Sequence, residues 1–136
     1  MNTLYTSHAA ILSEDKSCFY WEKNVRFDGK ITFFWWKLEE WEDYMEWLLR
    51  ELKEETWVDF KSTQFYLLEE KQSVIINDNI FIWNLYLIYA SQSQIKTILN
   101  QEHGRNIELP SSSIDEIDFG FDELKNKLYT ALNYKK

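Results

Sequence analysis

Cysteine occurs once, at Cys18, so the chain forms no internal disulfide and has no thiolate set for a zinc site. A small secreted domain more often carries an even set of cysteines, so a cytoplasmic location is expected. Only three glycines are present, Gly29, Gly104 and Gly120, too few and too far apart for G-x-G-x-x-G or a phosphate-cradling P-loop. Two histidines, His8 and His103, belong to no H-E-x-x-H, zinc-finger or deaminase pattern and carry no signature of a Ser/His/Asp or Cys/His centre. With a single proline, Pro110, and no low-complexity or repeated tract, there is no sign of a linker. Long apolar runs are missing too: Ile80 to Ala90 is the longest, interrupted by Asn84, and a bilayer-crossing helix needs about 20 residues. The first residues, MNTLYTSHAAILSEDK, lack the basic start and apolar stretch of a signal peptide. Basic residues are the minority, 15 Lys and Arg against 23 Asp and Glu, for a net charge of −8. That surplus of acid repels a polyanion, so no nucleic-acid partner is expected.

What remains is apolar and aromatic material. In 136 residues, 45% are hydrophobic and 18% aromatic, enough for one well-filled domain. Asp28-Gly29 between Val25-Arg26-Phe27 and the run Ile31 to Trp36 predicts a hairpin, because this dipeptide suits a type I′ turn. From Lys37 to Glu55 the period becomes helical, with Leu38, Trp41, Tyr44, Met45, Leu48, Leu49 and Leu52 on one face. Phe65 to Leu68 reads as a buried strand or the middle of a short helix, the strand being preferred. Val74-Ile75-Ile76 and Ile80 to Ala90 flank Asn77-Asp78-Asn79, a second hairpin. In the long run both alternating sets are mostly apolar, which predicts a central strand covered on both faces. Ser91 to Gln94 matches a capping box opening a helix that runs to about Glu102 and stops at Gly104, beside His103. A last helix from about Phe121 would bury Leu124, Leu128 and Leu132. The expected fold is a single α+β domain with an antiparallel or mixed sheet and about three helices, in the order β-β-α-β-β-β-α-α.

Chemistry is sought among the acids. Asp115 to Gly120 places glycine where a calcium loop has it, but Ile117, Phe119 and Asn126 stand where oxygen ligands and a bidentate Glu are needed, so no metal is expected. Paired carboxylates are abundant, without the opposed environments and defined separation that glycosidase-type acids need. No cofactor signature is present. Charge is nevertheless concentrated: Leu109 to Leu124 holds five acids and no base, and Lys37 to Asp59 nine acids against three bases. Counting 100° per residue, Trp47 falls off the apolar stripe, among Glu40, Asp43, Arg50, Glu51 and Glu54. It either packs under the N-terminal segment or a sheet edge, or anchors an interface facing a basic partner.

An acidic, Trp-rich, small α+β chain without a catalytic signature resembles the immunity proteins of bacterial polymorphic-toxin and contact-dependent growth inhibition systems. The resemblance implies a non-enzymatic function: binding a cognate toxin, often a basic nuclease, and covering its active site with acidic and aromatic side chains. The partner-binding residues would then be Trp47, Asp43 and Glu54, or Asp115, Glu116 and Asp118. Acids that mimic phosphate would speed encounter, and aromatic anchors would slow release. Two other classes stay open: an aromatic-lined pocket for a small ligand, with or without enzymatic activity, and an adaptor whose aromatic surface is an oligomer interface, a homodimer included.

Overall fold

In the computed structural model, residues 2–24, 30–32, 34–38, 43–101, 106–117 and 122–135 are described. They form strands β1 (Asn2–Ser13), β2 (Cys18–Asn24), β3 (Lys30–Thr32) and β4 (Phe34–Leu38), helix α1 (Tyr44–Thr56), strands β5 (Phe65–Ile76) and β6 (Asn79–Ala90), helix α2 (Gln92–Leu99), strand β7 (Asn106–Pro110) and helix α3 (Asp122–Leu132). Short 3-10 turns cover Ser62–Gln64 and Ser111–Glu116.

The sheet is mixed and runs β3-β2-β1-β6-β5, with β4 also pairing with β1 and β7 with β2. β1 lies parallel to β6 along its whole length, from Asn2 opposite Asn79 to Ser13 opposite Ala90. Its other edge is shared: antiparallel β4 takes Tyr5 to Ala9, and antiparallel β2 takes Ile11 and Leu12. β6 is therefore interior, between β1 and β5, as the doubly apolar run Ile80 to Ala90 predicts. Alternation divides its side chains between two cores. Trp83, Leu85, Leu87 and Tyr89 join Ala10, Leu12, Phe19 and Trp21 under Leu128 and Ala131 of α3. Tyr86, Ile88 and Ala90 join Ala9, Ile11 and Tyr20 under Leu48 and Leu52 of α1 and Ile98 of α2. The architecture is α+β, with α1 and α2 on one face of the sheet and α3 on the other.

The second hairpin forms as expected: Asn77 and Asp78 hold φ of 50° and 64°, the two positive values a type I′ turn requires. Of the first hairpin, Ile31 and Thr32 lie antiparallel to β2, opposite Lys23 and Glu22, whereas Phe34 to Trp36 pair with β1; Val25 to Phe27 and Asp28-Gly29 lie outside the described residues. So do His103 and Gly104. The capping box of α2 is present, Ser91 Oγ accepting from Gln94 N at 3.3 Å and Gln94 Oε1 from Ser91 N at 2.9 Å.

The structure departs from expectation in four places. The N-terminal segment, to which the sequence assigns no element, is the strand β1, with Thr6, Ser7 and Ala9 to Leu12 buried. Lys37 does not begin a helix: Phe34 to Leu38 is a strand paired to β1, and the helix starts only after Asp43. Aromatic residues suit a pleated ladder, and the long partner β1 overrides the helical spacing of Leu38. Phe65 to Ile76 is one strand rather than two segments, its acidic middle bent by register shifts between Leu67 and Gln72 and by Lys71 at φ 47°. The helix after Ser91 also ends earlier than expected, at Leu99.

Candidate functional site

Helix α1 carries the largest unexplained concentration of charge. Its start is fixed by Asp43, whose Oδ1 accepts from Met45 N at 2.8 Å and Glu46 N at 3.2 Å. Burial of Leu48 and Leu52 fixes which way the helix faces. Its end is held by buried amides from elsewhere in the chain. Gln101 Nε2 donates to Thr56 O at 2.8 Å, and Asn106 Nδ2 to Glu55 O at 3.1 Å. Thr56 Oγ1 donates to Leu52 O at 2.6 Å and accepts from Val58 N at 3.2 Å. These bonds satisfy the carbonyls a helix end leaves free and make the last turn rigid.

On that last turn and a half stand Arg50, Glu51, Glu54 and Glu55. Spacings of three and four residues bring Glu51, Glu54 and Glu55 onto one strip. Partial burial pushes the Glu51 carboxyl above the usual carboxylate range, and the charge of Glu54, the charge of Glu55 and a hydrogen bond to Glu54 act in the same direction. Arg50 acts against the rise. Its guanidinium is itself placed by Trp47, with Cζ 4.1 Å from the centre of the indole ring. Like charges crowded onto a rigid, half-buried turn form a site that a cation would relieve. Among the described residues, no group of three His, Cys, Asp or Glu is close enough together to hold a metal as it stands.

The sequence-predicted residues fall in separate places. Trp47 is half-buried beneath Arg50, and its Nε1 is buried without a hydrogen-bond partner. Asp43 is engaged as the cap, about 16 Å along the helix from Glu54 at 1.5 Å per residue. Asp115 belongs to the opposite side of the sheet, with α3: it pairs with Lys125 at 2.9 Å and accepts from Tyr129 Oη at 2.7 Å, which holds its carboxyl below the usual range. Glu116 is exposed beside it, and Asp118 lies outside the described residues. The structure thus brings Glu54 together with Glu51 and Glu55, neither of which is among the expected partner-binding residues. The available signal was the spacing of Arg50-Glu51 and Glu54-Glu55, two charged pairs one helical turn apart.

A second polar cluster is sealed under α3. His8 is partly buried on β1, its Nε2 3.0 Å from Thr6 Oγ1, beside the Trp83 ring at 6.3 Å. Lys127, which is buried, sets its ammonium 3.6 Å over the same indole. Burial, and secondarily the Lys127 charge, push the His8 imidazole down to about 3.

No sequence family matches the chain, and no curated protein does. Its backbone, however, superposes on many solved structures. The fold is that of the MutT/Nudix proteins. A MutT/Nudix family protein from Listeria innocua has a TM-score of 0.66 and 15% identity, over 97% of this chain and 95% of that one. The E. coli dihydroneopterin triphosphate pyrophosphohydrolase has a TM-score of 0.67 and 16% identity, over 96% of both. NrtR from Shewanella oneidensis, solved with a 27mer DNA, reaches 0.75 at 16% identity, over 93% of this chain but only 59% of NrtR. At these identities the shared property is the fold.

That fold overturns the expectation of a non-enzymatic immunity protein with a basic toxin as its partner: the solved structures that share it are MutT/Nudix proteins, the E. coli pyrophosphohydrolase among them. The described aromatic residues are largely interior. A sheet covered on both faces needs two cores, and Phe19, Tyr20, Trp21, Phe60, Trp83, Tyr86 and Tyr89 are consumed by them instead of serving as surface anchors. Among the described residues, no helix is long and apolar enough to cross a membrane.

Proposed function

We propose that the protein hydrolyses a phosphoanhydride bond in a small nucleotide-like substrate, at the carboxylate strip of α1. The observation that carries this reading is the crowding of Glu51 by Glu54 and Glu55 on a helix end pinned by Gln101 and Asn106. The pyrophosphohydrolase activity named for the E. coli protein of the same fold supports it. The donor set suits a hard divalent cation. Mg²⁺ is commonly held by only one or two carboxylates together with substrate phosphates, and Glu51 and Glu54, whose charges act on each other, offer two. When bound there, the ion would neutralise phosphate charge and make water a better nucleophile.

The chain's own residues do the rest. Glu51 and Glu54 would hold the ion, and Glu55, on the same strip, adds a negative field that draws a cation in. Arg50, steadied by Trp47, supplies a guanidinium suited to a phosphate oxygen and keeps Glu51 from rising further. Glu51 and Glu55 are partly shielded from water, whereas Arg50 and Glu54 are exposed to solvent.

The test is release of phosphate or pyrophosphate from a panel of nucleoside di- and triphosphates and dinucleotides, with Mg²⁺ or Mn²⁺. Turnover that falls at least about a hundredfold in Glu54→Gln, with an unchanged melting temperature, is the expected result. Full activity in both Glu51→Gln and Glu54→Gln, or no turnover of any substrate in the panel, would refute it.

A further inference from the structure

The residue that ends α1 sits in an unfavourable conformation. Trp57 closes the helix in the left-handed region, at φ 61° and ψ 12°, its N–H bonded to Lys53 O at 2.8 Å. This cap geometry is ordinarily taken by glycine, and for a bulky residue a positive φ is a true outlier. The indole is also 59% exposed, the second most exposed large hydrophobic side chain among the described residues after Ile75. Trp57 therefore carries backbone strain without recovering it through burial. Its neighbours leave it no alternative. Thr56 on one side is fully buried and bonded to Leu52, Val58 and Gln101, and Val58 and Phe60 on the other are buried in the core under α1. The chain thus goes in, out and in again, and the indole is held outward immediately after Glu54 and Glu55.

A glycine here would make the same cap with neither the strain nor the exposed ring. Backbone strain kept by its surroundings at the end of a charged site is where functional side chains gather. We infer that Trp57 is a stacking platform for the planar ring of the substrate, so that the carboxylate strip takes the phosphates and the indole takes the base. This rests on the hydrolase reading above and narrows the substrate to phosphoanhydrides that carry an aromatic ring system. Indole faces bind such rings with little regard to their identity, so Trp57 would add affinity across purine and pyrimidine substrates alike.

Two measurements separate this inference from the reading it rests on. The first compares KM for ATP and GTP with KM for inorganic tripolyphosphate, which has no ring, in wild type, Trp57→Gly and Trp57→Phe. Trp57→Gly should reduce the preference for nucleotide over tripolyphosphate about tenfold, and Trp57→Phe should restore most of it. The second is calorimetric binding of AMP and GMP, which needs no turnover, so it reports on the platform even if hydrolysis is absent. There Trp57→Gly should weaken binding about tenfold. Because glycine fits a left-handed cap, Trp57→Gly should melt no lower than wild type, and loss of fold does not confuse the result. An unchanged nucleotide preference together with unchanged AMP and GMP affinity would overturn the inference, as would equal losses on nucleotide and tripolyphosphate.

Discussion

Removing the imidazole of His8 tests how completely the sheet face under α3 excludes water and charge. The partly buried His8 lies beside Thr6 and Trp83, and the Lys127 ammonium stands over the same indole. A proton on that ring would have to give up its hydration and approach a second cation, which is why the imidazole is pushed from 6.5 down to about 3. In the unfolded chain it titrates near 6.5. Between these values the unfolded state binds a proton that the native state refuses, so stability is intact above about pH 6.5 and falls as the pH drops towards 3. Each unit is worth about 1.36 kcal/mol, so at pH 5.0 the loss from this one group is about 2 kcal/mol. Urea unfolding of wild type and His8→Gln at pH 7.5 and 5.0 isolates it, because every other titrating group is common to both proteins. Wild type should lose about 2 kcal/mol more than the variant over that interval. Equal losses would mean that the native imidazole titrates normally, and the dry, cation-bearing environment assigned to it would be wrong. Since burial outranks Lys127 as the cause, the imidazole should stay depressed in Lys127→Met.

Two further outcomes follow from packing and capping. Asp43→Ala removes the acceptor for Met45 N and Glu46 N and should lower stability by about 1 kcal/mol, read as a shift in the urea midpoint at constant slope. Leu85→Ala, in the middle of the interior strand and fully buried, should destabilise by about 2–5 kcal/mol in the same assay. A loss under about 1 kcal/mol would show that the core under α3 collapses around the gap.

Local signals in the sequence were read correctly where the chain's own neighbours decide the structure. Asn77-Asp78 turns because those residues tolerate positive φ, and Ser91 and Gln94 cap α2 through bonds within four residues. The alternating faces of β6 also follow from one segment alone. What escaped depended on distant partners. β1 contains Thr3, Thr6, Ser7 and His8, and nothing within it announces that β6, more than seventy residues later, will cover its backbone along its whole length. Phe34 to Leu38 joins a helical pattern until β1 claims it. The site was hidden for a different reason. Glu51, Glu54 and Glu55 have the composition of any solvated helix face, and only their fixation by Gln101 and Asn106, from beyond α2, distinguishes them.

The parallel pairing of β1 with β6 has a kinetic consequence. A crossover of this length cannot form locally, whereas β5 and β6 meet through a two-residue turn. The β5–β6 hairpin should therefore assemble early, and its inner edge, lined by Leu85, Leu87 and Ile88, stays open until β1 arrives from the start of the chain. During that interval an unpaired apolar edge is available to any other chain in the same state. Refolding yield should fall with protein concentration even though the finished fold covers that edge, and dilution rather than slower mixing should restore it.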